Sequence, residues 1–180
     1  IKKCQLCDCK NLDLILDLGS QPPANSLRQD IKNNLPNVDL KLLFCTKCSL
    51  LQLSEIVDPK YLFDNYLWVS GTSKGARKYS KIFSEIIITK LKALNIKPKY
   101  ILELASNDGT FLKEFANNNF KVLGVDPAKN IAEIANKNGV KTIANFFDIS
   151  LAHDILQDYG YPSVIIARNV IPHVKEIKSI

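Results

Sequence analysis

Arginine is scarce in this chain. Arg28, Arg77 and Arg168 are the only three in 180 residues, and the net charge of +6 rests on lysines scattered along the whole length. A surface that reads phosphates clusters Lys and Arg on one face or along one helix, so this charge predicts non-specific contact and not a nucleic-acid interface. No apolar run approaches the ~20 residues that span a bilayer, and no secretory signal is evident. Five cysteines without such a signal are expected in a reducing compartment, with thiols available for metal. These absences predict a cytoplasmic protein with no nucleic-acid or membrane partner. Internal repeats are missing too. What remains is an ordinary globular composition, 46% apolar, with room for one medium domain or two small ones.

Three stretches follow one another. Residues 1–58 are broken by Gly19, Pro22, Pro23 and Pro36 and carry short apolar runs at 12–18 and 40–44, which predict short strands between turns. Residues 59–98 hold an aromatic-rich segment and then a helix. Over residues 76–94, Ile82, Phe83, Ile86, Ile87, Leu91 and Leu94 fall at amphipathic spacing, and Pro98 is expected to close the segment. From residue 99 to 180 strands and helices alternate. Strands are predicted at 100–104, 121–125, 140–143 and 163–167, with a turn at 105–109 leading into a helix to about 118 and further helices at 127–138 and 149–159. That rhythm implies crossover units and a parallel sheet. It stops soon after the fourth strand, so the chain is expected to be the front part of a longer protein.

Cys4-x-x-Cys7 and Cys45-x-x-Cys48 form two thiolate knuckles. Each tight turn aims two sulfurs at one point, and two such turns complete a tetrahedral site for Zn²⁺. The intervening segment is too poor in apolar residues to fold unaided, so the metal is expected to supply folding free energy. Four protein ligands leave no open position, which makes the zinc structural. The competing reading is disulfides or plain thiols. Cys9 is the spare.

The run Ile101-Leu102-Glu103-Leu104-Ala105-Ser106-Asn107-Asp108-Gly109-Thr110 takes an apolar strand through a small, polar turn into a helix. In a doubly wound sheet that turn lies at the ligand crevice. Gly109 is its only glycine, so the pyrophosphate fingerprint is absent, and a ligand with an amino-acid end and no phosphates suits Ser106, Asn107 and Asp108 better. The next strand ends in Asp126, placed to accept both hydroxyls of a ribose. Adenosine with an amino-acid tail means S-adenosylmethionine. The alternative is an unliganded crossover with a solvated turn.

The paired cysteines, LGSQPPANSL (18–27), YLWVSGTS (66–73), LELASNDGTFL (102–112), GVDPAKNIA (124–132) and ARNVIPHV (167–174) together resemble successive signatures of the sugar C-methyltransferases. The resemblance covers essentially the whole chain in the family's order. It implies an N-terminal zinc module, a partial Rossmann-like α/β sheet for S-adenosylmethionine, and an acceptor domain beyond residue 180, so that this portion alone is expected to be inactive. It also implies a nucleotide-linked keto-deoxysugar as substrate. A base removes the acidic C–H beside the ketone, the enolate attacks the sulfonium methyl, and donors steady the carbonyl oxygen. Tyr66 and His173 carry over as catalytic residues; as residues alone they also read as a core aromatic and a surface histidine.

The expected cofactor contacts are Ser70, Thr72, Glu103, Ala105, Ser106, Asn107, Asp108, Gly109, Asp126, Pro127, Phe147 and Asn169. Ser70 to Ser73 also read as a helix cap whose exposed N–H groups could hold the cofactor carboxylate. Trp68 and Tyr79 depart from the family pattern, where a second aromatic hydroxyl and a histidine are common. Rival readings are a zinc-ribbon RNA base methyltransferase, which the aspartates of the cysteine module disfavour, and a non-catalytic scaffold.

Overall fold

The protein is described here by a computed structural model covering residues 1–24, 36–63, 66–174 and 177–179. Residues 25–27 of the 18–27 motif lie outside the described residues. Contacts divide the chain into a small unit, residues 1–63 with 173–180, and a larger one, residues 64–172.

The small unit is a three-stranded antiparallel sheet of β1 (Leu12–Gln21), β2 (Val38–Cys45) and β3 (Leu51–Leu53), in that order, followed by a short helix α1 (Pro59–Phe63). β1 runs further than the apolar pattern predicts. Pairing with β2 slips between Asp17 and Ser20, where Gly19 takes φ +70° and its N–H bonds the Asp17 carboxylate at 2.8 Å. Such a bulge absorbs the extra residue, and glycine meets the left-handed backbone without strain. The third strand was not legible as a strand because three residues show no period. Hardly any apolar side chain is buried here. Leu14, Ile15, Leu16, Leu18, Leu51 and Leu53 are all exposed, whereas Cys4 and Cys45 are fully buried. Sulfur, not hydrocarbon, occupies the centre.

The larger unit opens with a 3₁₀ turn (Ser70–Thr72) and α2 (Lys74–Ala93), whose Ser73 cap accepts from the Ala76 N–H at 3.2 Å. Four parallel strands then alternate with helices: β4 (Ile101–Leu104), α3 (Thr110–Asn117), β5 (Val122–Asp126), α4 (Lys129–Lys137), β6 (Thr142–Ala144), α5 (Ile149–Tyr159) and β7 (Val164–Ala167). The spatial order is β6-β5-β4-β7. Crossovers from β4 to β6 step one way across the sheet and the one to β7 steps back. Right-handed connections therefore place α5 on the opposite face from α3 and α4. The core agrees, with Leu112, Phe115 and Ala135 packed against Ile101 and Ile166 on one face, and Leu151 and Ile155 against Leu102, Leu104, Leu123 and Val125 on the other.

Three helices end within a residue of where the sequence pattern places their ends, and all three close in the same way. α2 stops at Ala93, ahead of Pro98, because Asn95 adopts φ +52° and Ile96 N–H returns to Leu91 O at 2.9 Å. Asn119 and Gly139 end α3 and α4 in the same way, with Phe120 N–H on Phe115 O and Val140 N–H on Ala135 O. In this Schellman geometry a left-handed residue satisfies the last carbonyls, and asparagine is the side-chain-bearing residue that tolerates it best. The last of these caps uses Val140, so β6 begins at Thr142, two residues later than predicted. Among the described residues no helix is long and apolar enough to cross a membrane.

Gly109 caps α3 at φ +77°, and a Cβ there would meet the Val140 side chain at 2.8–3.0 Å. Val140 is buried in the core and has nowhere to retreat. Gly109→Ala is therefore expected to cost about 2–5 kcal/mol, from backbone strain and overpacking together. Urea unfolding checks it, and a loss within about 0.5 kcal/mol, the scale of an inert surface change, would show that the turn relaxes freely.

Candidate functional site

The two cysteine knuckles share one backbone design. Asp8 N–H bonds Cys4 O at 3.0 Å and Ser49 N–H bonds Cys45 O at 2.9 Å, while Cys4 N–H reaches Cys9 O and Cys45 N–H reaches Leu50 O. Asp8 and Ser49 both sit at positive φ, so each chain turns back on itself after its second cysteine. The Gln52 side chain joins the knuckles by accepting from Gln5 N–H at 3.0 Å. All four Sγ atoms of Cys4, Cys7, Cys45 and Cys48 lie within 4.8 Å of one another, with Cys4–Cys48 and Cys7–Cys45 at 3.5 Å. Zinc–sulfur bonds of ~2.3 Å in a tetrahedron need sulfurs about 3.8 Å apart, so this donor set fits the ion. Burial opposes ionisation of Cys45, but the N–H groups of Cys48 and Lys47 together with the Cys7 and Cys4 thiols outweigh it and bring it down to about 6. The Cys9 N–H favours a Cys7 thiolate, yet burial and the three neighbouring sulfurs prevail and push it up to about 12. Four crowded thiols hold their second negative charge poorly without a cation. Cys9 lies outside this cluster, its Sγ 4.0 Å from Asn11 O.

At the carboxyl end of β4 the chain makes a tight polar turn. Ala105 and Asn107 take φ +51° and +52°, Ser106 N–H bonds Val125 O, and Gly109 N–H bonds Ser106 O, both at 3.1 Å. Asp126 closes the neighbouring strand. One of its carboxylate oxygens accepts from Asn107 N–H at 2.8 Å and the other from Ala128 N–H at 2.9 Å. A carboxylate has about four lone-pair sites, so each oxygen keeps capacity for a hydroxyl. Burial raises the Asp126 carboxyl above its usual value, against the pull of those two N–H groups.

Glu103 occupies the middle of the central strand, fully buried. Arg168, just past β7, donates to one Glu103 oxygen through Nε at 2.9 Å and Nη2 at 2.6 Å. The other oxygen, Oε2, is buried with no hydrogen-bond partner. Burial lifts Glu103 to about 7; Arg168 opposes the rise, and the charges of Asp126 and Asp108 add to it. The guanidinium itself lies 3.1 Å from the Phe111 ring centroid. An acidic residue inside an apolar strand requires a buried partner, which was the one signal for this pair. Arg168 was nevertheless not among the residues singled out from the sequence.

The other sequence candidates divide by where their polar atoms point. The Ser106 hydroxyl is buried, unpartnered and turned toward Gly124, whose Cβ would fall 2.4 Å from it. Ser106 therefore offers a ligand its backbone, not its hydroxyl. Asn107 and Asp108 spend their side chains on the segment before α2. Asn107 accepts from Ser70 N–H at 2.7 Å and donates to Trp68 O at 2.9 Å, and Asp108 accepts from Gly71 N–H at 3.0 Å. The Thr72 hydroxyl bonds Val69 O at 2.7 Å. Phe147 is half-buried against the α5-side core, Pro127 is half-buried after β5, and Asn169 is exposed at φ +53°. Tyr66 is half-buried and its carbonyl accepts from Asn130 Nδ2 at 3.0 Å. His173 is exposed at the end of a 3₁₀ turn (Ile171–His173), its ring edge-on to Phe63 at 5.8 Å.

Open cavities of about 370 and 600 Å³ lie instead around Lys99 and Lys121, at the amino ends of β4 and β5. In open α/β sheets ligands gather at the carboxyl ends, and the conformationally special residues 105–109 are there. Around β4 and β5 stand three carboxylates, Glu103, Asp108 and Asp126, against two guanidinium groups, Arg168 paired with Glu103 and Arg77 on Gly71 O. Such a balance repels phosphates and suits a ligand carrying positive charge, as the sulfonium and ammonium of S-adenosylmethionine do.

Comparisons with known proteins follow the same division. A family model described as "Putative zinc binding domain" matches residues 4–63, and one described as "Methyltransferase domain" matches residues 76–180. The chain is 25% identical over 182 aligned residues to the C-methyltransferase NovU of Streptomyces niveus. That alignment takes in all of this chain and 43% of the relative's length.

Proposed function

Because the chain belongs to the methyltransferase family, we propose that its β4–β5 edge binds S-adenosylmethionine and that the protein methylates a carbon beside a ketone in a nucleotide-linked deoxysugar. One observation carries the cofactor half. A buried carboxylate, Asp126, ends the strand next to a phosphate-averse turn and keeps free lone pairs on both oxygens. Asp126 takes the ribose hydroxyls, and the backbone of residues 105–109 at the start of α3 faces the amino-acid end. The bound cofactor supplies an electrophilic methyl group. Carbon as the acceptor atom is supported by the likeness to a C-methyltransferase, and the keto-sugar by the motif resemblance.

Carbon is a poor nucleophile unless a neighbouring carbonyl can hold charge as an enolate. The protein must therefore remove a C–H proton and donate to the carbonyl oxygen as that charge develops. Tyr66 and His173 are this chain's candidates for those two tasks. The zinc has a structural role in this reading, since four thiolates leave no place for substrate.

The test is Asp126→Ala. S-adenosylmethionine binding measured by calorimetry is expected to weaken by about 1.5–3 kcal/mol, the worth of hydrogen bonds to a charged group. Unchanged affinity in a folded variant would remove Asp126 from the cofactor site.

A further inference from the structure

Segment 66–72 is strapped to the cofactor turn through its backbone, and the side chains that hold it come from residues of the turn itself and from two helices. Asn107 uses both ends of its amide, accepting from Ser70 N–H and donating to Trp68 O. Asp108 divides its carboxylate, one oxygen on Gly71 N–H and the other on the N–H and hydroxyl of Thr110 at the start of α3. Asn130 of α4 holds Tyr66 O, and Arg77 of α2 holds Gly71 O. The approach is so close at Gly71 that a Cβ would sit 2.4 Å from Asp108 Oδ2 and 2.8 Å from Thr110 Oγ1. Side chains engaged in this way cannot also serve as free ligands.

We infer that Asn107, Asp108 and Asn130 are positioning residues that clamp segment 66–72 across the turn at the end of β4, so that cofactor occupancy of the turn and ordering of the strap are thermodynamically linked. The inference rests on the reading that this turn holds S-adenosylmethionine. The same residues whose backbone forms the turn carry the strap on their side chains. Anything that fixes the Asn107 and Asp108 backbone therefore fixes the strap, and the strap returns the effect with equal free energy. Asp108 also ties the strap to the first turn of α3, and Asn130 ties it to α4, so the clamp grips both helices that follow the ligand-binding strands. The strap in turn presents Tyr66, and it leaves the Leu67 and Trp68 side chains exposed.

Trp68 is the only tryptophan in the chain, so its fluorescence reports on the strap alone. The experiment combines calorimetric titration of S-adenosylmethionine, acrylamide quenching of Trp68, and hydrogen exchange at the Ser70 and Gly71 amides. It compares the wild-type chain with Gly71→Ala and Asn130→Ala. In wild type, cofactor is expected to slow exchange at both amides and to lower Trp68 quenching by about half. Both variants should keep the wild-type far-ultraviolet spectrum, bind cofactor more weakly, by about tenfold for Gly71→Ala, and lose the cofactor-dependent change in Trp68. Asn130 is exposed, so that variant guards against a folding artefact. Wild-type affinity in both folded variants, or a strap indifferent to bound cofactor, would overturn the linkage. A wild-type chain that binds no S-adenosylmethionine would instead overturn the cofactor reading, and rapid exchange at Ser70 and Gly71 in the free chain would overturn the clamp itself.

Discussion

Replacing Cys45 with serine is expected to release zinc and unfold the three-stranded unit, while Cys9→Ser leaves one zinc per chain and the fold intact. The size of the effect follows from how little else holds residues 1–63. β1 is exposed along nearly its whole length, and the buried centre contains Cys4, Cys45 and Gln52. Small metal-nucleated modules draw an apparent ~10–16 kcal/mol from structural zinc, as much as the whole net stability of a typical domain, ~5–15 kcal/mol. Metal analysis gives the stoichiometry. Hydrogen exchange at the Cys4, Cys45 and Gln5 amides gives the fold. A chelator should reproduce the Cys45→Ser result and leave protection within β4 and β5 largely unchanged, because those strands have their own two-sided core. Equal zinc loss in Cys9→Ser, or persistent protection after chelation, would defeat the assignment.

The second large effect is electrostatic and depends on pH. Arg168→Gln is expected to cost about 3–5 kcal/mol at pH 8.5, the usual penalty for leaving a buried charge unpaired, but only about 1–2 kcal/mol at pH 5, the worth of the lost hydrogen bonds. Glu103 has a folded-state value of about 7 against an ordinary 4.5. Between those values the unfolded chain has released the proton and the folded chain still holds it, so stability falls as pH rises. Below 4.5 this contribution is fully present, and above 7 it is gone and Glu103 adds no further slope to the wild-type curve. Removing the guanidinium lifts Glu103 further, so the variant continues to lose stability above pH 7 where wild type does not. Urea unfolding at the two pH values reads the difference directly, and the other titrating groups cancel in the comparison. Adding Glu103→Gln to the variant should erase the excess loss at pH 8.5. An equal cost at both pH values would mean that Arg168 acts by packing on Phe111 and not through the buried carboxylate.

The fold was legible where local chemistry dictates it. The helix at 149–159 lies as predicted, because Asp148 caps it and a turn at Gly160 ends it. Elsewhere the abundant asparagine reads in sequence as a compositional bias of the whole chain. In the structure two of these residues, Asn95 and Asn119, terminate helices at positive φ, and Asn107, Asn130 and Asn136 hold backbone groups through their side chains. The pattern was visible, but its meaning was not, since an asparagine announces a turn only when its neighbours' periodicity has already stopped.

By itself the sequence determined the spacing of the four thiols, the strand–helix alternation, and the carboxylate at the end of β5. Each of these is encoded within a few residues, by a turn length, a period of 2 or 3.6, or a cap. Only the tertiary structure decided that β7 returns beside β4, that Arg168 neutralises Glu103 from 65 residues away, and that Asn107 and Asp108 turn their side chains to the strap. Those outcomes depend on which faces pack together once right-handed crossovers have folded the sheet. No local period records a partner that far along the chain.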